Sequence, residues 1–292
     1  MRLAVFSDVH SNHLALEACF QEAERQKADV WIFLGDYVSD CAYPHKTMEL
    51  LYEAKKEHDC RFVKGNREEY ILDHHKNGSD WNYASTTGSL LYTYENMTAD
   101  DLKFIDALPI TDVIRLLGHD AIRICHGAPY KTRVLLEPGN GMAARVLHEV
   151  EEPVLLGGHS HKPFTERLEN KLYVNPGSVG VQTCGVAQSE MTFLESDSKS
   201  WVPQLVHVPY DNAAVVREIE ESGLLHKSSV WAPAIAKQLV TGENLALSCL
   251  LRAEKLAEGG AVTDAHLKQA ARELGVLQER IHRYGYDYCD TQ

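Results

Sequence analysis

Asp8, His10, Asp36, Asn66, His126, His159 and His161 carry the carboxylate, amide and imidazole groups that hold divalent cations. Five of them close short apolar runs: RLAVFSD at Asp8, VWIFLGD at Asp36, CRFVKGN at Asn66, AIRICH at His126 and PVLLGGH at His159. The other two follow a candidate ligand at i+2, in Asp8-Val9-His10 and His159-Ser160-His161. In an extended backbone, side chains at i and i+2 point to one side, so the spacing predicts that Asp8 and His10 converge on one ion. Two ions sharing a bridging carboxylate need hard oxygen and borderline nitrogen donors arriving from several strands, and this set supplies them. Without thiolate it suits manganese, iron, zinc or nickel; calcium wants more oxygen and copper(I) more sulfur.

A run of four to eight apolar residues bounded by turn signals reads as a buried strand. In open α/β sheets, ligands bind beyond the carboxyl ends of the strands, which is where these polar residues fall. Between the first runs lie helical patterns, from Asn12 to Lys27 and from Pro44 to Glu57, and a third helix is predicted to open at Arg67. Strand and helix in alternation imply a parallel sheet. Thr98 to Asp101 reads as a capping box, and Ile110 to Leu117 with Ala121 to Cys125 reads as a hairpin. Runs at Phe164 to Leu168, Leu172 to Val174, Met191 to Leu194 and Trp201 to Val208 predict a second set of strands. The fold class is therefore α/β, with two sheets face to face and helices outside.

After Tyr210 the composition shifts to helix formers, so the chain divides into residues 1–210 and a helical C-terminal extension, 211–292. In the extension, Leu247, Leu250, Leu251 and Ala253 to Leu256 make a broad apolar stripe, and Thr263 to Gly275 has an N-cap and a glycine stop. The extension reads as a packing or self-association element, which makes a homo-oligomer a natural expectation; the alternative is a lid that shapes substrate choice.

The chain's 292 residues carry a net charge of −13, which argues against nucleic acid as the principal partner. The extension repeats this, with 9 Lys/Arg against 12 Asp/Glu. Its seven cysteines are scattered, without a CxxC pair, so neither a disulfide framework nor a thiolate zinc site is expected. A reducing compartment follows. A strand beginning within a residue or two of Met1 and the lack of an ~18-residue apolar run lead to the expectation of cytoplasmic residence, with no leader and no membrane span.

Taken singly, each candidate has an ordinary structural reading: a buried imidazole, an Asx turn at Asn66, a solvated first-turn residue at Arg67. His13, His74 and His75 read as surface histidines, Trp81, Tyr83, Tyr92 and Tyr94 as core, Cys125 as a small apolar residue, and Asn175 to Gly180 as a turn. Only the joint pattern speaks for chemistry.

That pattern resembles the calcineurin-like metallophosphoesterases, and in particular their compact bacterial and archaeal phosphodiesterase-like branch. Their ordered motifs match as Asp8-Val9-His10, Gly35-Asp36, Gly65-Asn66-Arg67-Glu68, His126-Gly127 and Gly158-His159-Ser160-His161, with Asn175-Pro176-Gly177-Ser178-Val179-Gly180 following. The resemblance spans roughly residues 1–208. It implies an α/β/β/α sandwich and hydrolysis of a phosphoester or phosphoanhydride, with a small phosphorylated compound or nucleotide as substrate. It also implies two metal ions, manganese foremost, about 3.5–4 Å apart with a bridging hydroxide as nucleophile. Asp8, His10, Asp36 and His161 would hold the first ion, and Asp36, Asn66, His126 and His159 the second. Asn66, His126 and Arg67 would also act on the substrate. Arg67 departs from the pattern, since many relatives carry there a histidine that protonates the leaving group; an arginine keeps its charge and cannot do so. The rival readings are a non-catalytic metal-binding interaction scaffold and a nuclease, the second disfavoured by the acidic balance.

Overall fold

The structure, a computed structural model, describes residues 1–83, 85–197 and 200–277; the end of the predicted extension, with Cys289, lies outside the described residues. Strands β1 (Arg2–Phe6), β2 (Val30–Phe33) and β3 (Cys60–Phe62) are parallel, joined by α1 (His13–Arg25) and α2 (Pro44–Glu57). After α3 (Asn66–Asn77), α4 (Gly88–Glu95) and α5 (Ala99–Asp106) come β4 (Thr111–Ile114) and β5 (Ile122–Cys125), the predicted hairpin. Then follow α6 (Met142–Glu149), β6 (Val154–Leu156), β7 (Phe164–Leu168), β8 (Lys171–Asn175), β9 (Ser189–Asp197) and β10 (Ser200–Val208).

The sheets have orders β10-β9-β1-β2-β3 and β4-β5-β6-β8-β7. This corrects one expectation: β9 and β10 do not add to a second set of strands but return to the first sheet, where β9 lies antiparallel to β1 with Leu3 opposite Leu194. The first sheet is therefore mixed. Strands covered on both faces read as unbroken apolar runs, and alternation assigns their residues to two cores. Leu3, Val5, Val30, Ile32 and Leu34 meet Ile122, Ile124, Val154, Leu156 and Val174 between the sheets. Ala4, Phe6, Trp31 and Phe33 face outward and are covered by α1 and α2 through Leu16, Cys19, Met48 and Leu51. Removing one such side chain, as in Ile32→Ala or Leu156→Ala, should cost about 2–5 kcal/mol.

The extension forms α7 (Asn212–Glu221), α8 (Leu224–Lys227), α9 (Trp231–Thr241), α10 (Leu245–Leu256) and α11 (Asp264–Glu273), the last capped by Thr263 as predicted. Its core of Val215, Ile219, Leu224, Ile235 and Leu239 is shared with Cys41, Ala42, Tyr92 and Val181. The stripe on α10 is narrower than expected. Leu245, Ala246, Cys249 and Ala253 are buried, whereas Leu247 and Leu251 are 43% and 48% exposed on the opposite side. Among the described residues no helix is long and apolar enough to cross a membrane.

Candidate metal centre

The parallel strands of both sheets deliver their carboxyl ends to one edge, and the chain turns sharply after each. Asp8, His10, Asp36, His159 and His161 all lie in the left-handed region, with φ of 55°, 50°, 54°, 66° and 53°. The predicted convergence of Asp8 and His10 thus occurs by a different geometry, because the backbone at both is left-handed and not extended. A non-glycine residue there costs of order 1–3 kcal/mol and persists only where its surroundings over-determine it. Here the turns are laced together by main-chain hydrogen bonds. Asp8 N–H donates to Gly35 O (3.1 Å), His10 N–H to Asp36 O (2.9 Å), Gly158 N–H to His126 O (2.7 Å) and Gly180 N–H to Asp8 O (3.0 Å). Two glycines permit the approach: a Cβ at Gly65 would run into the Asp36 carboxylate, and one at Gly158 into Ser7 Oγ.

The segment Asn175 to Gly180 does more than turn. Asn175 Nδ2 donates to Gly158 O (2.7 Å) and Ser160 Oγ (3.0 Å), and Ser178 Oγ donates to Asp8 O (2.8 Å), so it clamps the two loops that carry four of the candidate ligands.

Two groups of side chains result, Asp8 with His10 and His161, and Asp36 with His126 and His159; the ligand atoms of each lie within 4.8 Å of one another. Both carboxylates face both groups. Asp8 Oδ1 is 3.2 Å from His161 Nε2, 3.8 Å from His10 Nε2 and 3.9 Å from His126 Nε2. Asp36 Oδ2 is 3.4 Å from His126 Nε2 and 3.9 Å from His10 Nε2. Asn66 Oδ1, at the first residue of α3, lies 3.0 Å from His126 Nε2. Three imidazoles are turned inward by what holds their Nδ1 atoms: Leu34 O for His126 (2.8 Å), Val181 O for His161 (2.5 Å), and Ser39 Oγ (2.8 Å) with the Asp40 carboxylate (3.0 Å) for His10.

Electrostatics in the group is severe. Burial pushes His10 down, but the Asp40 and Asp8 carboxylates facing its two ring nitrogens prevail and raise it to about 10. His126 is likewise pushed down by burial and then raised, by the Asp36 and Asp8 charges, to about 9. Burial and the neighbouring His126 lower His159 to about 4. Burial raises the two carboxylates, yet the facing imidazoles hold Asp8 well below the usual range and bring Asp36 to about 2.

These residues fit a metal pair. Among the described residues Asp8 Oδ1 is fully buried and has no hydrogen-bond partner, although a buried carboxylate oxygen ordinarily finds one. His10 Nε2 and His161 Nε2 point at each other across 3.1 Å. Oxygen and imidazole donors so crowded are the donor set for a first-row divalent ion.

A model of the calcineurin-like phosphoesterase superfamily domain matches residues 1–199. The chain belongs to that superfamily. Over 237 residues it is 26% identical to an uncharacterized protein of Methanocaldococcus jannaschii, covering 76% of this chain and 93% of that one. Its fold is similar to that of a metallophosphoesterase from Sphaerobacter thermophilus, with TM-score 0.65 and 23% identity over 83% of this chain and 100% of the other. A hypothetical protein from Pyrococcus horikoshii OT3 gives 0.70 and 21% over 82% and 98%. The α/β sandwich expected from the resemblance is thus the fold of this calcineurin-like chain.

Arg67 follows Asn66 at the rim of the calcineurin-like site. Its Nη2 lies 3.6 Å from Asp40 Oδ2 and its Nε 4.0 Å from Asp36 Oδ2, while the buried Nε has no hydrogen-bond partner among the described residues. His13 is not a surface residue; it is buried against Glu218 of α7 at 3.0 Å. His74 stacks on Trp81 far along α3, and His75 contacts Tyr94 Oη at 3.0 Å. Tyr92 and Cys125 are buried as expected.

Three functional neighbours escaped the sequence reading. Glu68 accepts the N–H groups of Asp36 (2.8 Å), Tyr37 (2.8 Å) and Gly65 (2.7 Å), which fixes the turn beneath Asp36. Asp40 and Trp231 meet beside His10, with Trp231 Nε1 donating to Asp40 Oδ1 at 2.7 Å. Asp40 carried a signal, a charged residue in the otherwise uncharged stretch after Gly35-Asp36, but Trp231 carried none.

Proposed function

We propose that this chain is a two-metal phosphoesterase, hydrolysing a phosphoester or phosphoanhydride bond of a small phosphorylated compound or nucleotide. Membership of the superfamily supports phosphoester hydrolysis at the coarse level. The observation that carries the finer reading is the buried, unpartnered Asp8 Oδ1 facing three imidazoles.

In this reading Asp8, His10, Asp36 and His161 hold one ion and Asp36, Asn66, His126 and His159 the other, with manganese the first candidate. When bound, such a pair supplies an activated water at neutral pH and polarises the phosphoryl oxygens. The chain's own residues do the rest. Carbonyls of Leu34 and Val181, and the Ser39 hydroxyl with the carboxylate of Asp40, keep three imidazole rings in orientation. Arg67, anchored by Asp40, offers its remaining N–H groups to phosphoryl oxygens as charge-assisted donors. Asn66 and His126 border the position the phosphoryl group would take.

Six described cysteines are free thiols, which supports residence in a reducing compartment such as the cytoplasm. Exposed Leu247 and Leu251 on α10 support self-association through the extension, which sedimentation of the purified protein would test.

The test is an activity panel on purified protein with manganese, covering aryl monoesters, aryl diesters, nucleotides, dinucleoside polyphosphates and phosphopeptides. Turnover of at least one phosphorylated class is expected. Metal uptake without turnover of any class would favour the scaffold reading, and preferential cleavage of DNA or RNA the nuclease.

A further inference from the structure

Of the three imidazoles whose Nδ1 partner is known, two are held by main-chain carbonyls, whose positions the strands fix; His10 alone relies on side chains, Ser39 Oγ at 2.8 Å and the Asp40 carboxylate at 3.0 Å, which also accepts from Ser39 Oγ. What fixes Asp40 is therefore part of what fixes His10. Asp40 is buried and sits in the left-handed region at φ 62°, next to Ser39 at φ 130°. The chain thus sustains an unfavourable backbone to bring this carboxylate inward. Its two oxygens are divided. Oδ2 faces the centre, accepting from Ser39 Oγ (3.0 Å) and pairing with His10 Nδ1 (3.0 Å), with Arg67 Nη2 at 3.6 Å. Oδ1 faces away and accepts the indole N–H of Trp231 at 2.7 Å.

Trp231 is the first residue of α9, in the extension, beyond the residues 1–199 that match the superfamily domain. The extension is seated on this region by more than one bond. Cys41 and Ala42, which follow Asp40, are buried in its core, and Gln238 Nε2 donates to Gln182 O at 2.9 Å. An indole N–H is a donor only, on a rigid ring with two side-chain torsions, so it fixes the direction of the acceptor it meets.

We propose that Trp231 is a positioning residue of the metal centre: its indole N–H fixes the Asp40 carboxylate, which in turn aims His10 at its ion. The inference rests on the two-ion reading above. It gives the C-terminal helices a role in the centre, as the outer wall of the group Asp8, His10 and His161, with no equivalent among the described residues at Asp36, His126 and His159. Loss of a partner that orients a ligating histidine weakens metal affinity by about 10–100-fold, and here the loss should fall on one ion.

Manganese(II) is titrated calorimetrically into the chelator-treated full chain, wild type and Trp231→Phe, and the two binding steps are resolved. His161→Ala identifies the step that belongs to the Asp8 group. Trp231→Phe should weaken that step by about tenfold or more and leave the other within about twofold. Trp201→Phe is the matched control, since Trp201 Nε1 donates to the distant Asp120 O, and it should move neither step. If Trp231→Phe leaves both steps unchanged, or weakens both alike as a general loosening would, the inference is overturned. Should that variant not fold, Asp40→Asn decides: it keeps the size of the side chain and an oxygen for Trp231 but removes the charge facing His10, so the same step alone should weaken, and unchanged binding overturns the inference. A wild type that takes up no second ion overturns the two-ion reading itself, whereas a wild type that loads two ions beside an unaltered Trp231→Phe overturns only the role of Trp231.

Discussion

The main-chain N–H of Arg67 donates to Asp36 Oδ1 at 2.8 Å, so one oxygen of this carboxylate is committed to the N-terminus of α3. The other, Oδ2, is left to face His126 at 3.4 Å and His10 at 3.9 Å, one imidazole from each group. A carboxylate fixed at one end and pointing between two imidazoles is placed to bridge. Asp36→Asn should therefore lower occupancy of both ions together and reduce turnover by at least ~10²-fold, comparable to loss of a principal electrostatic group. His10→Ala should act mainly on one ion. Metal content by elemental analysis is the check, and an Asp36→Asn protein holding two ions with near-normal turnover would contradict the assignment.

Metal loading should release protons. In the metal-free protein His10 and His126 are raised to about 10 and about 9, so at neutral pH both hold protons that an ion must displace. The sign follows: raising the pH from 7 towards 9 removes the competitor, and apparent manganese affinity should climb by about tenfold or more over that range. Chelated protein should be inactive and should recover with manganese. An affinity that is flat with pH, or full activity after exhaustive chelation, would count against the centre.

Away from the ligand set, Glu190 on β9 predicts a stability change. Burial raises it from 4.5 to about 7, Oε2 accepts only Ser178 N–H at 3.2 Å, and Oε1 has no partner among the described residues. Between those two values the unfolded chain has lost its proton while the folded chain retains it. Folding is therefore favoured by this group below pH 4.5 and loses that contribution as pH rises to 7. Glu190→Gln, neutral throughout, should raise the melting temperature at pH 8 by an amount corresponding to about 1–3 kcal/mol and change little at pH 4.5. Equal shifts at both pH values would show that packing, not ionisation, is responsible.

Much of the centre was legible because its strands are buried on both faces. Such strands are unbroken apolar runs, so Asp8, Asp36, His126 and His159 stand out at their ends. The conformation at those ends was not legible. Asp8-Val9-His10 looks like a continuing strand, and its left-handed turn is imposed by hydrogen bonds to the Gly35 and Asp36 carbonyls and from the Gly180 N–H, which no local pattern encodes. Long-range pairing hid the rest. β9 returns to β1 from nearly two hundred residues away, and Trp231 meets Asp40 across a separation of 191. On α10 the apolar stripe was visible, but which part of it faces the core was decided by α9 and α11, leaving Leu247 and Leu251 outside.

Arg67 lies where many relatives carry the histidine that protonates the leaving group, and its surroundings set the last prediction. One side of its guanidinium faces Asp40 at 3.6 Å and Asp36 at 4.0 Å, beyond hydrogen-bond distance, and despite burial these charges raise its already high affinity for a proton. It remains charged, and it cannot act as an acid. Its unpartnered Nε and partial exposure leave donors for a phosphoryl group. Charge-assisted hydrogen bonds contribute about 1.5–3 kcal/mol, so Arg67→Ala should raise KM by about 10–100-fold while both ions stay bound. Aryl esters and phosphoanhydrides, whose leaving groups depart without a proton, should be preferred over alkyl phosphates. Arg67→His should extend activity to poorer leaving groups if the new imidazole reaches the leaving oxygen. The deciding measurement is log rate against leaving-group pKa. A steep wild-type dependence, keeping its slope in Arg67→Ala, is the result expected of a binding group. A shallow dependence that steepens on mutation would instead show that Arg67, or a group it positions, assists departure.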